Sequence, residues 1–295
     1  MVKIGALEAG GTKMVLAVYT LEGEELERLT LPTLTPQQTM PQMVDFFRAH
    51  AVDALGVGSF GPLDLDPRSP TYGAITSTPK LPWRGYPLLR ELLGGRDIPA
   101  AIDTDVNAAV LAEVVRGAAQ GLDSAVYVTV GTGIGGGVYV NGATVRGLMH
   151  PELGHMLVKP HPDDPNPRGV CPYHASCLEG LAAGPAIAAR VGGDARELPD
   201  GHPTFDIEAY YLAQMCANLV LTLSPQRILL GGGVMQRAVL FDKVRRQTAA
   251  LLNGYVNQPA ITERIEDYIV PPALFPVSGL VGAYLLGLYA YQRRV

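Results

Sequence analysis

The chain has 295 residues, 47% of them apolar and 17% charged, and a net charge of −5. That is enough apolar material for two domains, and too little positive charge for the basic face that non-specific nucleic-acid binding needs. No stretch is apolar for long enough to span a membrane, and Met1 leads into a strand pattern without a leader, so a cytoplasmic protein is expected.

Residues 2–7 read as a strand, Glu8-Ala-Gly-Gly-Thr-Lys13 as a tight turn, and 14–19 and 25–31 as two further strands. Residues 37–50 carry Met40, Met43, Val44, Phe46 and Phe47 at helical spacing. A buried strand follows at 54–57, then Gly58-Ser-Phe-Gly-Pro62 and a turn-rich loop over 64–83 that ends in Thr78-Pro-Lys-Leu-Pro-Trp83. That loop reads equally as a ligand-facing segment or as ordinary surface. A short helix at 87–93 and a strand at 100–102 lead to Asp103-Thr-Asp-Val-Asn107 and an Ala-rich helix over 108–119, with Thr104 or Asp105 as N-cap.

The opening pattern then returns. Residues 124–130 read as a strand, Gly131-Thr-Gly-Ile-Gly-Gly-Gly137 as a glycine turn, 138–140 as a strand, Asn141-Gly142 as a hairpin turn, and 144–146 as the start of a third strand. Two halves therefore share one architecture, a repeat at about half the chain length. Gly131-x-Gly133-x-x-Gly136 matches the dinucleotide fingerprint literally, but that motif must open a helix, and here a strand continues. Farther on, 178–191 and 205–223 read as helices, the second carrying Cys216, which is read as core packing. Residues 227–230 are a strand, and Gly231-Gly-Gly-Val-Met-Gln236 is a third glycine turn opening a helix. Residues 241–252 are a helix, 268–270 a short strand and 279–292 a closing helix. Glycine turns at strand ends let backbone N–H groups approach a phosphate.

Residues 150–179 stand apart. Pro160, Pro162, Pro165, Pro167 and Pro172 break any regular period, and long loops without secondary structure are usually functional. Cys171-x2-His174-x2-Cys177, with His155 upstream, supplies four nitrogen and sulfur ligands of the kind that suits one structural Zn²⁺ per chain. His161 could replace one histidine, and a Cys171–Cys177 disulfide is the competing reading, disfavoured in a reducing compartment. Asp105, at a helix N-terminus, is expected to be an ionised carboxylate of low pKa able to accept a hydrogen bond from a substrate hydroxyl; a plain N-cap, or Asp103 in its place, are the competing readings.

Glu8-Ala-Gly-Gly-Thr12, Asp105-Val-Asn107-x5-Glu113, Gly131-Thr-Gly-x-Gly-Gly-Gly137, Glu152-Leu-Gly-His155, Cys171 to Cys177-Leu-Glu179 and Gly231-Gly-Gly-Val234 together resemble the ROK family of sugar kinases. Gly58-Ser-Phe-Gly-Pro62, Tyr72-Gly-Ala-Ile-Thr-Ser-Thr-Pro-Lys80 and His150-Pro-Glu look most like its bacterial zinc-containing fructokinases. The resemblance implies an α/β protein of two ribonuclease-H-like (actin/hexokinase-type) domains with an inter-domain cleft. The domains would be 1–117 plus 278–295, and 118–277. It implies ATP-dependent phosphorylation of a hexose, D-fructose first, with Asp105 as base, Mg²⁺ accompanying ATP, and a homodimer. It places Gly10, Gly11, Thr12, Lys13, Gly131, Thr132 and Gly133 around the ATP phosphates. It places Pro185, Gly231, Gly232, Gly233, Val234, Met235 and Gln236 by the adenosine. Asn107, Glu152, His155 and Glu179 would be sugar-side residues, His155 giving one ring nitrogen to zinc and the other to the sugar.

Two positions depart from the family pattern. Glu8 stands where Asp is usual, so its contact with Mg²⁺ is open, and Thr104 replaces an Asn that could bond a sugar hydroxyl. Glucokinase, mannokinase and N-acyl-hexosamine kinase activities are alternatives on the same fold. A non-catalytic sugar sensor is disfavoured because Asp105 is present. A DNA-binding repressor is disfavoured because Met1 abuts the first strand.

Overall fold

A computed structural model describes residues 1–294. The chain divides into two compact units. The first comprises Met1–Arg116, Thr144–Pro151 and the segment from Pro276 onward; the second comprises Gly117–Ala143 and Glu152–Phe275.

In the first unit, strands β1 (Lys3–Ala9), β2 (Lys13–Thr20) and β3 (Glu25–Pro32) form an antiparallel meander. After α1 (Pro36–Ala49), β4 (Ala54–Ser59) pairs parallel to β1. After α2 (Leu88–Leu93), β5 (Ala100–Thr104) pairs parallel to β4. The sheet order is β3-β2-β1-β4-β5. Met43 and Phe47 of α1 pack on one face with Leu7, Met14, Leu16 and Val57. On the other face lie α3 (Asp105–Arg116) and, at the end of the chain, the helix Ser278–Arg294. These two helices pack so closely that a Cβ at Gly282 would lie 1.8 Å from the Ala108 carbonyl oxygen. Burial on both faces explains the continuous apolar runs of β1 and β4.

The second unit repeats the plan. Its sheet is built of β6 (Ser124–Val130), β7 (Ile134–Val140), β8 (Ala143–Thr144, whose Thr144 begins the segment counted in the first unit), β9 (Arg227–Gly231) and β10 (Ile269–Val270). They follow the order β8-β7-β6-β9-β10, with β6–β7 antiparallel and β6–β9–β10 parallel. Its helices are α4 (Leu178–Ala182), α5 (Gly184–Val191), α6 (Thr204–Leu223), α7 (Val239–Leu252), α8 (Pro259–Thr262) and α9 (Ile265–Tyr268). The closing helix Ser278–Arg294 of the first unit is α10. The expected α/β repeat is therefore present: each sheet carries the three-strand meander and two parallel strands of a ribonuclease-H-like unit. None of the helices among the described residues is long and apolar enough to cross a membrane.

Five expectations are corrected. The glycine turn expected over 131–137 ends at Gly133, and β7 begins at Ile134. Gly135, Gly136 and Gly137 are strand residues; a Cβ on Gly136 would meet Leu153 Cδ2 at 2.1 Å, so close packing rather than turning demands that glycine. The third strand expected at 144–146 is cut to Ala143–Thr144, because Thr144 and Arg146 turn to Asp103. The helix expected over 178–191 breaks at Ala183, which is extended (ψ 161°). The helix expected from 108 starts at Asp105, capped by Thr104 Oγ1, which accepts from the Asn107 N–H at 3.1 Å. The third glycine turn leads into a 3₁₀ turn at Val234–Gln236, and α7 starts only at Val239.

Candidate active site

The β1–β2 and β6–β7 hairpins present matching turns. Gly10 N–H donates to the Lys13 carbonyl at 2.9 Å, and Gly131 N–H to the Gly133 carbonyl at 2.9 Å. Among the described residues, the N–H groups of Gly11 and Thr12, and of Thr132 and Gly133, donate to nothing. Each turn therefore offers two adjacent free donors, a concavity suited to phosphate oxygens. Behind the second turn, the Gly184 N–H bonds to the Gly131 carbonyl at 2.7 Å. This sets the start of α5, with the exposed Pro185 as its next residue, against the turn. At the third glycine turn, Gly232 has φ +90°, and a Cβ there would lie 2.4 Å from the Val130 carbonyl oxygen. Gly232 is thus needed for the fold itself, whereas a Cβ on Gly233 would meet open space.

Asp105 opens α3, and its Oδ1 accepts from the Val106 N–H at 2.9 Å. Burial pushes its carboxyl up to about 6, with the Val106 N–H and its own N–H opposing. The low pKa expected from the helix dipole is therefore corrected: loss of water outweighs the helix terminus. Glu8, on β1, faces Asp105; burial, and then the Asp105 charge, push Glu8 up to about 7 against Lys13 and the Leu280 N–H. A carboxylate near 6 is still mostly ionised at neutral pH and is a better proton acceptor than an unperturbed one.

Asp103 is committed elsewhere. It is 1% exposed, and it accepts from Thr104 N–H and Asn107 Nδ2 (both 2.8 Å), Thr144 Oγ1 (2.9 Å) and Arg146 (2.7 Å). It clamps the Thr144–Pro151 segment to the first unit, as does His150, whose Nε2 accepts from Leu63 N–H at 3.0 Å. Asn107, expected beside the sugar, is buried; its Nδ2 serves Asp103 and its Oδ1 has no partner.

In the second unit, His155, Cys171, His174 and Cys177 converge, with their donor atoms all within 4.8 Å of one another. Cys171 Sγ lies 3.7 Å from His174 Nδ1 and 4.0 Å from His155 Nδ1, and Cys177 Sγ lies 3.8 Å from His155 Nδ1. Nitrogen and sulfur ligands on a tetrahedral zinc stand about 3.6 Å apart, so the set fits with little adjustment. All three cysteines are free thiols. His161 is not in the group; its Nδ1 accepts from the Asp163 N–H. His155 turns Nδ1 to the sulfurs and Nε2 toward Glu179 Oε1, at 3.9 Å. Glu179 Oε2 accepts from the Ile134 N–H at 2.9 Å and lies 2.6 Å from where a Gly133 Cβ would be. Glu179 thus joins the metal-ligand group to the glycine turn. Glu152, exposed, gives its carbonyl to the His155 N–H at 2.9 Å.

The proline-rich loop has more framework than its sequence shows. Leu157 bridges Cys177. Gln214 of α6 bonds Lys159 through both its N–H and its carbonyl. Tyr211 donates to Asp164, which also pairs with the buried Arg190 at 3.2 Å; Arg190 reaches Glu208 at 3.4 Å. Neither this network nor Lys80, which lies over Gly11, was singled out by sequence. Lys80 stands between Pro79 and Pro82 in the 64–83 loop as Arg68 does between Pro67 and Pro70, so its position alone does not mark it.

Two ribonuclease-H-like units, each with a glycine turn of free N–H donors, define the actin/hexokinase class of phosphotransferase folds. The chain belongs to the ROK family, which matches residues 4–288. It is 43% identical to a fructokinase of Pediococcus pentosaceus, covering 98% of this chain and 99% of that one. It is 42% identical to a fructokinase of Zymomonas mobilis subsp. mobilis, covering 98% and 97%. A ROK family glucokinase from Streptomyces griseus, solved with glucose and AMPPNP, superposes with a TM-score of 0.75 at 25% identity over 97% of this chain and 99% of its own.

Proposed function

We propose that the protein transfers the γ-phosphoryl group of ATP to a hexose, D-fructose, giving D-fructose 6-phosphate and ADP. The observation that carries the choice of sugar is the likeness to fructokinases at 43% and 42% identity over nearly the full length. Asp105 orients the primary hydroxyl and takes its proton as the hydroxyl oxygen bonds to the γ-phosphorus. The bond from that phosphorus to the bridging oxygen breaks, and its electron pair leaves with ADP. Because such transfers pass through a loose transition state, positioning and charge neutralisation supply most of the catalysis. Gly11 and Thr12, and Thr132 and Gly133, offer free N–H donors to phosphate, with Gly10 and Gly131 closing the two turns and Lys13 adding a cation at the first. Pro185 and Gly231 to Gln236 hold the adenosine.

Glu152, His155 Nε2 and Glu179 bond sugar hydroxyls, and Asn107 contributes only through its unpartnered Oδ1. Zn²⁺ suits the group His155, Cys171, His174 and Cys177, where all four positions are filled by protein, so its part is to hold His155 and Glu179 in place. Glu8, whose carboxyl pKa is raised by burial and then by the Asp105 charge, is the residue that would face Mg²⁺. Mg²⁺ bound with ATP neutralises phosphate charge. Family resemblance supports a homodimer and a cytoplasmic location. A coupled ADP-release assay over fructose, glucose, mannose and N-acetylhexosamines tests the reading. Fructose should give the highest kcat/KM, and a higher value for another sugar would reassign the substrate.

A further inference from the structure

The 64–83 loop ends over the β1–β2 turn. Trp83 anchors it: the indole is 1% exposed, its Nε1 donates to the Leu34 carbonyl at 2.7 Å, and it meets Phe60 and Tyr86 edge-on. Lys80 begins the 3₁₀ turn that carries Trp83, with the Trp83 N–H on the Lys80 carbonyl at 2.8 Å and the Lys80 N–H on Thr78 Oγ1 at 3.3 Å. The Lys80 backbone is therefore fixed, and its side chain runs across Gly11. A Cβ on Gly11 would stand 3.2 Å from Lys80 Cε and 3.9 Å from Nζ.

Among the described residues, the Lys80 ammonium makes no ion pair and no side-chain hydrogen bond. It lies against Gly11, in the turn whose Gly11 and Thr12 N–H groups donate to nothing among the described residues. The β6–β7 turn differs in this respect. There the group packed on a turn glycine, Gly133, is the Glu179 carboxylate, which is already bonded to the Ile134 N–H. Of these two turns, and among the described residues, the β1–β2 turn is the one that combines free donors with an unpaired cation, and an anion is what that combination binds.

We propose that Lys80 is a further catalytic residue whose ammonium contacts the phosphoryl group during transfer and in the product. The inference rests on the kinase reading above. Glu8, next to the end of β1 that leads into this turn, feels the Asp105 charge, so the base and the turn share one neighbourhood and the group at the turn is the one Asp105 helps to transfer. As the new bond to the hydroxyl oxygen forms and the bond to the ADP oxygen breaks, charge spreads over the three non-bridging oxygens. A lysine held on a rigid loop neutralises that charge without reorganising. Lysine acts here as a point charge rather than a fork, and arginine would replace it only in part.

The test uses the full chain with Lys80→Met and Lys80→Arg. Lys80→Met should lower kcat about 10²-fold, the usual loss for one electrostatic donor, while the KM for fructose changes less than about threefold. It should weaken fructose 6-phosphate binding about tenfold or more but leave fructose binding within about twofold, a split that a merely structural role would not produce. Lys80→Arg should recover part of kcat and of product affinity. Circular dichroism and Tm check that each variant is folded, and Lys80→Arg carries the test if Lys80→Met is not. The proposal is overturned by unchanged kcat and product affinity, or by equal weakening of fructose and fructose 6-phosphate. A wild-type protein that does not phosphorylate sugars would instead overturn the kinase reading.

Discussion

Replacing Glu179 separates two jobs that the structure gives to one side chain. Its Oε2 accepts from the Ile134 N–H at 2.9 Å, and its Oε1 faces His155 Nε2 at 3.9 Å. Ile134 is 3% exposed, so no water readily replaces the lost acceptor. Glu179→Ala leaves that N–H unpaired at a cost of about 1–3 kcal/mol. If about half of this is felt in holding the Gly131–Gly133 turn ready for phosphate, the KM for ATP rises about two- to tenfold, since 1.4 kcal/mol is one decade. Glu179→Gln keeps an acceptor for the N–H but loses the charge opposite His155. It should leave the KM for ATP within about twofold while raising that for fructose. Steady-state kinetics with each substrate varied gives both values. An unchanged KM for ATP in folded Glu179→Ala protein would refute the claim that Glu179 holds the turn.

The metal reading predicts one zinc per chain by elemental analysis, weaker binding of fructose after chelation, and recovery on adding Zn²⁺. Because Glu179 also touches the turn, Cys177→Ser should raise the KM for ATP as well as for fructose. Since Asp164, Tyr211 and Gln214 pin the earlier part of the loop, hydrogen exchange after chelation should quicken around residues 167–177 and not around 159–166. The pH profile should show kcat/KM falling below about pH 6 as Asp105, raised to about 6, takes up a proton and ceases to be a base. Glu8 carries a stability consequence of definite sign. Its carboxyl goes from 4.5 to about 7 on folding, so the native state binds the extra proton in that window. Stability from this group falls as pH rises from about 4.5 to about 7, and Glu8→Gln should raise Tm at pH 8 more than at pH 4.

The strands were legible because both units alternate or run apolar between turn residues, and the repeated meander followed from that pattern. Glycines were less legible. Composition cannot separate a glycine that turns the chain from one, such as Gly136, that clears room for Leu153. The break at Ala183 has a sequence signal in the Gly184-Pro185 pair, since proline disfavours helix before it and suits the first turn of a new one. It marks where Gly184 N–H leaves to bond Gly131, more than fifty residues upstream. The four metal ligands could be read from spacing because zinc demands particular donors. The pins on their loop come from α5 and α6 and could not. The raised pKa of Asp105 is not legible in its own helix, whose dipole favours the anion; burial by the surrounding fold outweighs it.

The central claim is that this chain is a fructose kinase with Asp105 as its base. The most direct measurement is ADP release from ATP with fructose and Mg²⁺, for the wild-type protein and Asp105→Asn, with fructose binding measured on both. The account predicts wild-type turnover to fructose 6-phosphate, and a variant with fructose affinity within about threefold and kcat lower by about 10²–10⁴. A folded Asp105→Asn protein that turns over fructose within about threefold of wild type would contradict it.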